Sequence, residues 1–158
     1  MSTPPAIAAV ILSAVLVACG GGANSAGSSD PDAEMLVNLP DCDRVPMDEE
    51  PEVLADIDGL VLPDGARVTS VREQGPLISV EGSIRMTPLE LRADYETRGD
   101  VDLLRIEDET FEAEVLLRAD GRRMYLLAMA LCADGTALSA MIGPDSEDAG
   151  LPEFQSDH

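Results

Sequence analysis

Three cysteines, one histidine and 31 carboxylates are the side chains from which this chain of 158 residues could build chemistry. Cys19, Cys42 and Cys132 stand far apart, and Cys42 and Cys132 form neither a C-x-x-C pair nor a zinc spacing. The only histidine is His158, so no internal imidazole offers itself as base, shuttle or metal ligand. Ser83, in the stretch EGSIR, lacks the second glycine and the histidine partner of a nucleophile elbow. There is also no P-loop and no dinucleotide fingerprint. Paired carboxylates can serve as acid and base in glycoside cleavage, but Asp100 and Asp102, or Glu107, Asp108 and Glu109, read as solvated strand ends. Asp56 and Asp58 open like a calcium loop, yet Val61 takes the place of the required glycine and Arg67 that of the closing glutamate. The sequence thus points to no catalytic residues, no metal site and no cofactor.

The cysteine with the most informative surroundings is Cys19. It follows an uncharged apolar run, Ala6 to Ala18, that is shorter than the roughly 20 residues needed to cross a bilayer. It is followed in turn by three glycines. Leu16, Val17, Ala18 and Cys19 match the lipobox position by position, so the N-terminus resembles that of a bacterial lipoprotein precursor. The segment MSTPP departs from the usual basic n-region in carrying no Lys or Arg. The resemblance implies a signal peptide over residues 1–18 and a diacylglyceryl group on the Cys19 thiol. It further implies cleavage ahead of Cys19, acylation of the new amino group, and placement on the extracytoplasmic face of the cell membrane or outer membrane. Two or more acyl chains anchor stably where one binds marginally. The alternative is a buried N-terminal helix ending in a free cysteine.

If Cys19 is committed to lipid, an odd cysteine count becomes an even one. Disulfides persist outside the cytoplasm, so the resemblance implies a Cys42–Cys132 bridge that pins the acidic N-terminal segment onto the domain. Two unpaired buried thiols are the alternative.

The net charge of −21 argues against nucleic acid as a partner, because phosphate-binding surfaces are basic. The excess is concentrated at the flanks: residues 30–58 hold eleven acids and one Arg, and residues 144–158 hold five acids and no Arg. All ten basic residues are Arg.

Several elements must position these groups. Residues 19–40, rich at their start in Gly, Ala, Ser and Asp, read as a flexible tether. Residues 41–65 read as an acidic irregular segment packed on the domain, with a short helical turn near Glu52–Ile57. Residues 66–143 read as the domain and 144–158 as an acidic disordered tail. Within the domain, ARVTSVRE (66–73) and LISVEGSIRM (77–86) make a hairpin about Gly75 and Pro76. Thr87, Pro88 and Glu90 spell a capping box with proline at the first helical position, and Gly99 stands where a terminator belongs. Leu91 and Tyr95, four apart, share the buried face of that helix.

Beyond Gly99 the period changes to two. Phe111, Ala113, Val115 and Leu117 alternate with Glu112 and Glu114. Asp120-Gly121 and Asp134-Gly135 are two-residue hairpin signals requiring positive φ. Met124, Leu126, Ala128 and Ala130 form one face of the fifth strand with Cys132 beside them, and both faces are apolar enough to be covered. The seven methionines read as adaptable core packing. The expected fold is α+β, one helix on an antiparallel sheet of about six strands in the order β-β-α-β-β-β-β.

The function these features predict is that of a lipid-anchored, non-enzymatic binding or structural module held to the membrane through Cys19. The second expectation is an assembly or regulatory subunit docking on an envelope protein through a sheet edge or the acidic flank.

Overall fold

A computed structural model describes residues 31–47 and 49–155. Cys19, the lipobox and His158 lie outside the described residues, as does the whole of the expected signal peptide.

Alternating apolar residues and turn glycines fold residues 67–144 into six strands with one helix between the second and third. The strands are β1 (Arg67–Gln74), β2 (Leu77–Ile84), β3 (Asp102–Glu109), β4 (Glu112–Ala119), β5 (Arg122–Cys132) and β6 (Gly135–Pro144). They form a single antiparallel sheet in the order β1-β2-β6-β5-β4-β3. A hairpin and a four-strand meander therefore meet where β2 pairs with β6. The result is the expected α+β order with the sheet dominant.

Two α-helices occur among the described residues, α1 (Pro31–Val37) and α2 (Pro88–Thr97). The capping box of α2 forms as its sequence predicts. The Glu90 N–H donates to Thr87 Oγ1 at 3.2 Å, and the Thr87 N–H donates to Glu90 Oε2 at 2.8 Å. Gly99 is not the terminator, because the helix ends with Arg98 in an extended conformation.

Helix α2 lies across β3, β4 and β5 and buries Leu91 and Tyr95 completely. Beneath it run Val115, Leu117, Met124, Leu126 and Ala128, and the core continues through Leu138, Ala140 and Ile142. Fully burying a side chain of this size contributes about 1.5–3 kcal/mol. Ile57, Leu60 and Leu62 pack against the same core. Their segment is tied to α2 where the Tyr95 hydroxyl donates to the Val61 carbonyl at 2.6 Å. Burial raises the Tyr95 phenol above its ordinary value and keeps it a donor. Residues 51–57 form no helical turn, contrary to the sequence expectation; the Val53 N–H donates to Val68 of β1 at 2.7 Å, while Leu54 is 95% exposed.

Three further expectations are corrected. Residues 31–37, read as tether, form α1 with Leu36 buried. The acidic tail is ordered as far as Phe154, which is buried against the sheet. Phe111 lies in the β3–β4 turn and is 41% exposed, instead of joining the core row of β4. Alternation stops applying where the chain reverses, which is why the pattern misplaced it.

Candidate functional site

The sulfur chemistry converges at one end of the sheet's outer face, the face turned away from α2. Strict alternation puts Cys132 beside Ala128 and Ala130, under the helix. The structure inserts one extra residue into β5 between Ala130 and Cys132. Such a bulge turns the following side chain to the opposite face, so Cys132 leaves the main core and joins a separate buried cluster with Cys42 and Met47. Cys42 opens a 3-10 turn, Cys42–Arg44, with Asp41 as its N-cap: the Asp41 carboxylate accepts from the Asp43 N–H at 2.9 Å.

Cys42 and Cys132 have Cα atoms 5.0 Å apart and sulfurs at disulfide bonding distance, across 90 residues of sequence. The Met47 thioether lies 3.2 Å from Cys132 Sγ. With its sulfur in the bridge, Cys132 has no S–H to donate, so this is a sulfur–sulfur packing contact. Two further ties bracket the segment: the Ala133 N–H donates to the Pro40 carbonyl at 3.0 Å, and the Ser83 hydroxyl donates to the Met47 carbonyl at 3.3 Å. Ser83 therefore has a structural partner.

Gly135 explains why a glycine stands in the β5–β6 connection. The sequence assigned it to a positive-φ turn, but it is the first residue of β6 and its φ is not positive; the turn is made by Ala133 and Asp134. A Cβ on Gly135 would come within 3.0 Å of the sulfurs of Cys42, Met47 and Cys132. Asp120-Gly121, by contrast, forms the predicted turn, with φ of 50° and 70°.

The outer face also carries a buried acid. Glu114 is withdrawn from solvent, accepts from the Tyr125 hydroxyl, and receives the Gln155 backbone N–H at 3.1 and 3.0 Å on its two oxygens. Phe154 packs edge-on against Tyr125 at 5.8 Å and under the Arg105 guanidinium at 4.3 Å. Burial first, and the Glu114 hydrogen bond second, raise the Tyr125 phenol above its ordinary value. Burial, reinforced by Glu109 and Glu114, also raises the Glu112 carboxyl.

Most of the carboxylates singled out in the sequence are engaged in ion pairs. Asp100 meets Arg98 at 2.7 Å, Asp102 meets Arg118 at 2.9 Å, Asp108 pairs with Arg92, and Glu107 with Arg105. The Arg98 hydrogen bond holds the Asp100 carboxyl below its usual range. Asp56 and Asp58 border a surface cleft beside Arg122.

Cys42 and Cys132 are thus brought together as expected. Met47 and Gly135 were missed as partners of the pair: Met47 sits only five residues beyond Cys42, but nothing in one sequence distinguishes a methionine facing sulfur from one facing carbon. No family model, curated protein or solved structure matches this chain.

Proposed function

We propose that the protein is a lipid-anchored, non-enzymatic binding or structural module on the extracytoplasmic face of a bacterial membrane. The observation that supports it is the Cys42–Cys132 pair. A disulfide suits an oxidising compartment, and it accounts for two of the three cysteines, leaving the third within Leu16-Val17-Ala18-Cys19 for the lipid. Expression with the native signal, followed by membrane fractionation and intact mass, tests this. A membrane-bound chain starting at acylated Cys19 is expected; unlipidated full-length protein in the cytoplasm would overturn it.

The second reading is an assembly or regulatory subunit that docks on an envelope protein. It is favoured by the outer sheet face, where Met129 and Leu131 are 50% and 39% exposed. Exposed apolar side chains grouped on one surface mark contact sites. Affinity capture from the native envelope should then yield one partner in stoichiometric amount, lost in the double variant Met129→Glu, Leu131→Glu.

A further inference from the structure

We propose that the Cys42–Cys132–Met47 cluster, once its disulfide is reduced, is a binding site for one copper(I) ion. Three sulfur atoms meet in a buried cluster at the end of the sheet, two from cysteines at disulfide distance and one from a thioether 3.2 Å from Cys132 Sγ. They converge on the space that Gly135 leaves by lacking a Cβ. An Asp134 carboxylate oxygen lies within 4.8 Å of both cysteine sulfurs.

Donor chemistry selects the metal. Thiolate and thioether ligands are soft, and two thiolates with one thioether suit copper(I) better than a hard cation. Zinc sites take thiolate, imidazole and carboxylate ligands in a tetrahedral set, and a thioether contributes little there. The sulfurs are buried, and the nearest acidic surface lies next to them in the chain, at the neighbours of Cys42 and Cys132. Asp41, Asp43 and Asp134 border a surface cleft of about 470 Å³ together with Arg85, and Asp41 and Asp43 flank Cys42 in the chain.

Reduction opens the site without dispersing it. A dithiol delivers two electrons and two protons, the Cys42–Cys132 bond breaks to give two thiols, and the dithiol is oxidised to its own disulfide. Copper(I) then releases both thiol protons to water, leaving two thiolates and a thioether about the ion with a net charge of −1. The hydrogen bonds Ala133 to Pro40 and Ser83 to Met47 still hold the ligand segment against β5, β6 and β2 after the covalent link is gone. The site would therefore be exclusive to the reduced protein: the same sulfurs serve either as a bridge or as ligands. None of this depends on whether Cys19 carries lipid.

The test is a competition for copper(I) against bathocuproine disulfonate, using the full chain in detergent, with and without prior reduction by a phosphine that is then removed. Reduced protein should withdraw one equivalent from the probe and oxidised protein none. Met47→Leu preserves both cysteines and the packing volume. Loss of supporting partners alone weakens metal sites by about 10- to 100-fold, so removing a direct donor should weaken binding by at least about tenfold. X-ray absorption of the loaded wild-type protein should show three sulfur neighbours and requires no variant. The proposal is overturned if reduced protein leaves the probe fully loaded, if Met47→Leu competes as well as wild type, or if zinc(II) displaces the bound copper.

Discussion

Glu114 sits in the outer face of the sheet with its carboxylate removed from water, and its neighbours explain how the chain tolerates it. A buried carboxylate is costly unless its oxygens are hydrogen bonded. Here the Tyr125 hydroxyl and the Gln155 N–H supply donors, the second of them from the C-terminal segment. Tyr125→Phe removes one donor without changing the ring that packs on Phe154. It is expected to destabilise the protein by about 1–3 kcal/mol, the usual cost of leaving a buried acceptor short of a partner. Urea denaturation at neutral pH measures this, and an unchanged midpoint would show that the bond contributes nothing. Gly135 makes the opposite point, since its role is the side chain it lacks. Gly135→Ala drives a methyl group into three sulfurs. Overpacking of this kind typically costs about 1–3 kcal/mol; a thermal melt matching wild type would mean that the cluster yields freely.

At the scale of elements, local hydrogen bonds and ion pairs join segments that the sheet alone does not fix. The capping box starts α2 where the chain leaves β2, and Thr87→Ala should cost about 0.5–2 kcal/mol in urea denaturation. After β6, Asp145 lies between Arg118 of β4 and Arg123 of β5, at 2.9 and 3.0 Å. Arg118, then Arg123, hold the Asp145 carboxyl below its usual range. A depressed carboxyl contributes stability above its unfolded value of about 3.9 that is lost as pH falls through the lower folded value. Asp145→Asn should therefore be less stable than wild type at pH 7, with the difference vanishing on acidification below that window; a gap that persists at low pH would assign the effect to packing instead. Much of this layer was legible in the sequence. The hairpin at Gly75-Pro76, the capping box and the turn at Asp120-Gly121 depend on residues within a few positions of one another, and each forms. What escaped prediction is non-local. The β5 bulge that turns Cys132 to the outer face, the pairing of β2 with β6, and the burial of Phe154 are each decided by a partner distant in the chain. The candidate site was half legible for the same reason: cysteine counting pairs Cys42 with Cys132, but only the fold brings Met47 and Gly135 to them.

For the whole molecule, the distribution of charge and the cysteine count bear on one question, how the domain is held at a surface. An excess of 21 negative charges over the whole chain offers an anionic leaflet no attraction, so attachment to such a surface calls for an anchor that does not depend on charge. The lipobox supplies that anchor in the proposed reading, and stable anchoring takes more than one acyl chain. Two independent signatures follow from assigning the three cysteines to two roles. With the native signal present, wild-type protein should partition into the detergent phase, whereas Cys19→Ser should lose the acyl mass and leave that phase while keeping the Cys42–Cys132 bridge, seen as a mobility shift on reduction. Cys132→Ser should show the converse: it remains in the detergent phase, loses the shift, and forfeits at most about 4–5 kcal/mol of stability for a loop of this length. The two variants separate anchoring from folding because Cys19 lies 23 residues before Cys42 in sequence, on the far side of the Gly- and Ser-rich stretch. Detergent partitioning of Cys19→Ser equal to wild type would place the membrane attachment elsewhere in the chain and remove the lipid from the cysteine count, leaving the bridge to stand on the geometry of Cys42 and Cys132 alone.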